Sequence, residues 1–148
     1  MSYKGKYKPR NPQKYRGDPN RVTYRSLWER KFMAYCDESD AILEWGSEEI
    51  IIPYLSPWDG RIHRYFPDFY IKTKQSNGTL KKFIIEVKPK KQCSPPNAKP
   101  KRKTNRWFNE VKTWGINEAK WKFATEWCEK NDMEFKILTE DHLNIKYK

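Results

Sequence analysis

Most features that would commit this chain to a membrane, an oxidising compartment or nucleotide chemistry are missing from its sequence. No apolar run approaches the ~18 residues of a membrane span, and the N-terminus has no apolar signal-peptide stretch. Its basic, acid-poor start resembles a transit peptide in composition, but Pro9, Pro12, Gly17 and Pro19 spoil an amphipathic helix there. Three cysteines, odd in number and far apart, form no CxxC unit and no disulfide framework. Cys36 and Cys128 fall on expected helices as small core residues, and Cys93 reads as an incidental thiol in a basic loop. His63 and His142 have no second ligand at zinc spacing. There is no Gly-rich phosphate loop and no Ser/His/Asp constellation, so NTP hydrolysis and acyl transfer have no support. These absences lead to the expectation of a soluble, cytosolic protein.

Acidic residues are also scarce, 19 against 31 Lys and Arg, for a net charge of +12. The excess is concentrated. Residues 1–25 carry +7 and residues 87–109 carry +8, which leaves the remainder at −3. Two basic segments on a slightly acidic body suit a polyanionic partner. Nucleic acid is the leading candidate, because Tyr3, Tyr7, Tyr15, Trp107 and Trp114 place stacking surfaces beside the charge. For residues 1–20 a merely solvated tail is an equally good reading.

What is present is enough for one domain. A chain of 148 residues buries roughly 68–70% of its unfolded surface, and seven Trp, nine Tyr and seven Phe supply the core. Residues 1–23, rich in Lys, Pro, Asn and Gly without periodicity, read as an extended, flexible basic arm. Ser26 is an N-cap for a helix to about residue 37, with Trp28, Phe32, Tyr35 and Cys36 on one face. EEIIIPYL (48–55) reads as a strand bounded by Gly46 and Pro53. Asp59-Gly60 turns into RIHRYF, and PDFYIKT continues or restarts that strand. Asn77-Gly78 turns into a third strand over 80–88, completing an antiparallel meander. After a basic loop over 89–104, Thr104 caps a short helix ended by Gly115. Asn117 caps another with Trp121, Ala124 and Cys128 on its core face, and residues 133–139 form a last strand that can rejoin the sheet. Thr139 is placed to start a brief final helix.

Charges inside the strands carry the chemistry. Alternation over 80–88 puts Phe83, Ile85 and Val87 on one face and Ile84, Glu86 and Lys88 on the other, with the last two ~6.6 Å apart along the strand. In FPDFYIKT, Asp68 faces away from Phe69 and Ile71, and the Asn77-Gly78 turn makes this strand the neighbour of the Glu86 strand. Asp68 and Glu86 then stand side by side with Lys88 next in line. Two adjacent carboxylates repel unless a cation sits between them. Mg2+ or Mn2+ suits such a pair, with waters and a substrate phosphate completing the shell. A nearby Lys can orient or deprotonate the attacking water or offset charge on phosphorus. The parts describe metal-assisted phosphodiester hydrolysis. The competing account is an exposed sheet edge with solvated Glu86 and Lys88. Pro67-Asp68 on the paired strand, the basic surround and the buried flanks favour the site.

Other candidates are weaker. Ser26-x-x-Glu29 fits a capping box, which by itself accounts for Glu29. His63 could touch a phosphate or leaving group, but an ordinary strand histidine is the better reading. Lys120 and Lys122 project from the helix after the loop toward either DNA phosphate or solvent. Glu48 and Glu49 read as solvated charges.

Pro67-Asp68, then Glu86-Val87-Lys88 on the paired strand, preceded by Glu29, resembles the PD-(D/E)xK nucleases. Over about residues 9–140, YRSLWERKF, WGSEEIIIPY, HRYFPDFY and IIEVKPK together resemble the head-completion nucleases of T-even-type bacteriophages. The pattern is more distantly similar to TnsA-type transposon endonucleases and phage junction-resolving enzymes. The resemblance implies an α/β, restriction-endonuclease-like αβββαβ core with a mixed central sheet flanked by helices, occupying residues 24–148. It implies Asp68, Glu86 and the Val87 carbonyl as metal ligands, Lys88 as the water-assisting residue and Glu29 as an accessory carboxylate. The charge distribution, separately, makes Lys90, Lys91, Lys99, Lys101, Arg102, Lys103 and Arg106 in and after the basic loop, with Lys120, the expected DNA contacts. The implied setting is the phage head and the host cytoplasm, where DNA, packaged or branched, is cut at the portal and neck proteins before tail joining. Two alternatives stay open: a non-catalytic DNA-holding portal or neck protein, and a junction-resolving or transposon-type subunit.

Overall fold

Alternating apolar residues make Leu80–Val87 the central strand of the sheet, buried on both faces. The computed structural model describes residues 4–143. In chain order its elements are β1 (Gly5–Lys6), β2 (Thr23–Tyr24), α1 (Leu27–Glu38), β3 (Ile42–Ser47), β4 (Ile52–Leu55) and β5 (Ile62–Tyr65). They continue with β6 (Phe69–Lys74), β7 (Leu80–Val87), α2 (Asn105–Lys130), β8 (Glu134–Leu138) and α3 (Glu140–Leu143). The main sheet runs β3-β6-β7-β8, with β7 and β8 parallel and the other pairs antiparallel. With α1 before β3 and α2 between β7 and β8, the core is the αβββαβ arrangement of an α/β restriction-endonuclease-like fold. Gly78, at φ +86, closes the β6–β7 turn in a conformation that a side chain would strain.

The sheet separates two apolar half-cores. On the α1 side, Phe32, Met33 and Cys36 pack against Trp45, Phe69, Ile71, Phe83 and Ile85. On the α2 side, Ala124 and Cys128 pack against Ile84, Tyr70, Ile52, Tyr54 and Tyr65. Each large side chain so buried contributes about 2 kcal/mol, and together they clamp β7 from above and below.

Three expectations are corrected. The outer core strand is Ile42–Ser47, not 48–55: Ile52–Leu55 pairs with Ile62–Tyr65 in a separate hairpin that rests on α2. Gly46 does not bound the strand but lies inside it, because a Cβ there would sit 3.1 Å from the Arg16 carbonyl oxygen. Gly115 does not end a helix either. Asn105–Lys130 is one helix capped by the Thr104 hydroxyl, and the ~1 kcal/mol helix cost of glycine is too small to break 26 residues.

The third correction concerns the N-terminal segment. Residues 4–24 are docked on the core: Tyr15 and Val22 are buried, and β1 pairs with β2. Tyr7 and Tyr15 pack edge-on against Trp45, with centroids 6.0 and 4.7 Å away, so they are core rings and not nucleic-acid platforms. Tyr3 lies outside the described residues. The anchor is Asp37, fully buried, which accepts from the Tyr7 hydroxyl (2.8 Å) and the Arg10 and Asn11 N–H groups (2.8 and 2.9 Å). Burial works to raise its pKa, but these hydrogen bonds and Lys14 outweigh it and hold the carboxyl below its ordinary range.

Asp37→Ala orphans all three donors and is expected to cost about 3 kcal/mol, read as a lower denaturation midpoint together with faster trypsin cleavage between Lys4 and Arg21. Because the folded value is depressed, Asp37 stabilises the fold above the unfolded value of 3.8 and ceases to do so as pH falls through the lower folded value. Acid titration of wild type should therefore release the segment, and the variant should lack that step.

Candidate active site

The β6–β7 register pairs Phe69 with Ile85 and Tyr70 with Ile84; carried one residue further, it sets Asp68 opposite Glu86. Both point to the α2 side, since Phe69 and Ile85 occupy the other half-core. Asp68 is held by the next strand, its Oδ2 accepting from the Val87 N–H at 2.8 Å. Glu86 is buried, and its Oε1 accepts from the Tyr65 hydroxyl at 2.8 Å. Its Oε2 lies 3.9 Å from the Lys88 Nζ. Burial, then the Glu86 charge beside it, push the Asp68 carboxyl up to about 8, and Glu29 adds to the rise.

Asp68, Glu86 and Tyr65 floor a cleft of about 460 Å3 that is also lined by Arg25, Glu48, Arg64, Phe66 and Lys120. Lys120 reaches in from α2, its Nζ 5.8 and 5.5 Å from the ring centroids of Tyr54 and Tyr65. Burial lowers the Lys120 pKa, which Glu86 opposes and Lys88 reinforces. Arg25 and Glu48 pair across the rim at 3.1 Å.

The structure brings Asp68, Glu86, Lys88 and Lys120 together. Glu29 does both things its sequence position allows. Its N–H donates to the Ser26 hydroxyl (3.2 Å), the first half of a capping box, while its Oε2 accepts from the N–H of Arg25 (2.8 Å), one residue before the cap. It is also half-buried, and burial first, with Glu48 and Glu86 adding repulsion, raises its pKa. It therefore senses the carboxylate pair without lining the cleft.

The rest of the basic set lies elsewhere. Lys90 is engaged by α3: its N–H donates to Glu140 (2.7 Å) and its Nζ pairs with Asp141 (3.4 Å). Lys91, Lys99, Lys101, Arg102 and Lys103 lie along residues 89–104, largely exposed, and Arg106 pairs with Glu110 at 3.2 Å. A larger hollow of about 870 Å3 lies between that loop and α2 and contains none of the carboxylates. His63 is outside the cleft, 2.7 Å from Asp59.

Sequence reasoning missed Tyr65 and misjudged Glu48. Tyr65 could have been found, since it lies just before Pro67-Asp68 in an alternating strand and so faces away from Arg64 and Phe66. Nothing in the sequence marks Glu48, whose φ of +55 and N–H bond to the Asp68 carbonyl (3.1 Å) turn it into the rim.

The donors present fit a hard divalent cation: two carboxyl groups opposite each other on paired strands, whose mutual repulsion a cation would relieve. Among the described residues no three His, Cys, Asp or Glu side chains close into a cage, so such an ion would keep positions open for water and phosphate. The raised Asp68 value has a consequence for stability. A carboxyl protonated more readily in the fold stabilises it below the unfolded value near 3.8 and loses that contribution as pH climbs through about 8. In EDTA, wild type should weaken between pH 4 and 8, and Asp68→Asn should be more stable than wild type at pH 8 by ~2 kcal/mol. A thermal-melting series in which the two proteins track each other across that range would contradict it.

Two comparisons bear on this geometry. A family model described as "TnsA-like endonuclease N terminal" matches residues 39–140, which contain Asp68, Glu86, Lys88 and Lys120. The head completion nuclease of Enterobacteria phage T4 is 46% identical over 147 residues, covering 97% of this chain and 95% of that protein. No solved structure matches. On both the family match and the near full-length relative, the chain belongs to the TnsA-like endonucleases, a PD-(D/E)xK-type nuclease family.

Proposed function

We propose that this protein is a Mg2+-dependent DNA endonuclease, with Mn2+ as a competent substitute, that acts at phage head completion on DNA ends held by the portal or neck before tail joining. The observation that carries the reading is the pairing of half-buried Asp68 with buried Glu86 on adjacent strands, with Lys88 at 3.9 Å from Glu86. The head-completion setting rests on the name of the T4 relative and on near full-length similarity to it.

Asp68, Glu86 and the Val87 carbonyl would hold the ion, which when bound supplies Lewis-acid polarisation of the phosphate. Tyr65 keeps its proton, because burial and the neighbouring Glu86 both raise its pKa, and so it fixes Glu86 as a hydrogen-bond donor. The Val87 N–H fixes Asp68 in the same way. Lys88 orients the attacking water by donating to its oxygen, and with Lys120 it offsets charge gathering on the phosphate oxygens. A bond forms from the water oxygen to phosphorus as the bond from phosphorus to the leaving sugar oxygen breaks. The water's proton passes to solvent, and the leaving oxygen takes one up. Arg25 and Arg64 at the cleft wall supply cations along the DNA backbone.

Cleavage of linear and branched DNA tests this directly. Asp68→Ala and Glu86→Ala should abolish it, EDTA should match them, and Lys88→Ala should lower the rate ~100-fold or more while leaving melting temperature nearly unchanged. Activity in Asp68→Ala equal to wild type would remove the catalytic reading and favour a DNA-holding virion protein.

The exposed loop cations generate a second expectation. Neutralising Lys99, Lys101, Arg102 and Lys103 should flatten the dependence of log affinity on log salt by up to about 0.9 for each phosphate no longer neutralised. A filter-binding series with an unchanged slope would take the loop out of the DNA interface.

A further inference from the structure

Among the described residues, the β4–β5 hairpin joins no other strand, and only one of its faces is covered. Ile52, Tyr54 and Tyr65 rest on α2. The outer face, set by the pairs Pro53–Arg64 and Leu55–Ile62, carries Ile51, Pro53, Leu55, Ile62, Arg64 and Phe66, all exposed. Five of these six are apolar and none is acidic. Ile62 is 67% exposed, and Trp58 at the hairpin tip is 64% exposed. A contiguous apolar face in water marks an interaction surface.

Its position identifies the occupant. Phe66, 42% exposed, and Arg64 line the same cleft as Asp68 and Glu86, and the Arg64 guanidinium lies 5.9 Å from the Phe66 ring centroid. Cations flank the face: Arg25 and Lys120 in the cleft, and Lys112 4.5 Å from the Trp58 ring centroid. The nearest acid on the hairpin, Asp59, is already bound by His63 and the Arg61 N–H. An apolar, aromatic face edged by cations and continuous with a phosphate-cutting cleft suits a chain that alternates anionic backbone with flat apolar rings. Continuous duplex shows such a face only phosphates and groove edges; unpaired bases show it open π-faces.

We propose that the outer face of the hairpin is a platform for unpaired bases beside the scissile phosphate, with Phe66 and Arg64 as its first stacking plane. The preferred substrate is then DNA with single-stranded character at the cut, such as a frayed end or a flap, and not uninterrupted duplex. This rests on the nuclease reading, and it adds the feature of the DNA that the enzyme selects.

The test compares cleavage of one sequence as blunt duplex and with a splayed end. It also follows the fluorescence of 2-aminopurine placed in the splayed strand and bound in EDTA, where nothing is cut. Wild type should prefer the splayed form and quench the probe. Phe66→Ala should lower the splayed-to-duplex rate ratio about tenfold, the scale of one base–aromatic stack, and abolish the quench. Phe66→Trp should restore both, and an unchanged melting temperature in each variant separates stacking from misfolding. Equal cutting of both substrates by wild type, or a quench that survives in Phe66→Ala and in Ile62→Ser, overturns the proposal. So does a pair of variants with wild-type DNA behaviour that fail only in assembling infectious particles, which would make the face a protein dock. If wild type cuts neither substrate, the nuclease reading fails, and the probe in EDTA still decides whether the hairpin stacks bases.

Discussion

Two carboxyl groups are set opposite one another on paired strands at the floor of a cleft, and most of the structure follows from holding them there. Asp68 and Glu86 sit opposite one another because β6 and β7 are joined by a short turn that fixes the register. A slip of one residue would send one carboxylate to the wrong face of the sheet. The apolar residues on both sides of β7 make such a slip costly, since it would exchange Ile84 and Glu86 for Phe83 and Ile85. Repulsion between the pair is therefore set against the burial energy of two half-cores.

The neighbours of the pair each answer that repulsion differently. The Val87 N–H and the Tyr65 hydroxyl offer neutral donors that fix orientation without neutralising charge. Lys88 and Lys120 bring charge from two elements, one from the end of β7 and one from α2. Lys120 can serve only because α2 is continuous. A break at Gly115 would free the helix's direction, whereas an unbroken run from Asn105 to Lys130 carries both Lys120 and the Ala124–Cys128 anchor on one rigid axis. The N-terminal segment does the equivalent for the other face, tying β3 to α1 through Trp45 and Asp37.

The strands that carry Asp68 and Glu86 were legible because their signals are local. Ser26 with Glu29 marks a helix start, Asn77-Gly78 marks a hairpin, and alternation over 80–88 assigns faces without knowledge of anything distant. Where the reading failed, the deciding contact was long-range. Gly46 looks like punctuation until the Arg16 backbone is seen packed against it. Tyr7, Tyr15 and the basic residues around them look like a solvated arm until Asp37, far along the chain and buried in a helix, accepts hydrogen bonds from the segment. Glu48 had no signal at all, because its role depends on a single left-handed residue at the end of β3.

The hairpin between β3 and β6 is where the fixed core and the variable demands of a substrate meet. It contributes no strand to the main sheet, yet Tyr65 reaches from its inner side to Glu86 while Arg64 and Phe66 flank that residue on the outer side. Strand alternation alone produces this division. Successive residues of β5 must face opposite ways, so a strand that delivers a donor to a buried carboxylate necessarily turns its next residues outward beside the same cleft. Those outward residues and Glu86 line one cleft. The packing of Ile52, Tyr54 and Tyr65 on α2 keeps the hairpin from swinging away, so the outer face stays in register with the carboxylates. The donor that holds Glu86 and the exposed side chains beside the cleft are thus consecutive residues, Arg64 to Phe66, held by one set of apolar contacts.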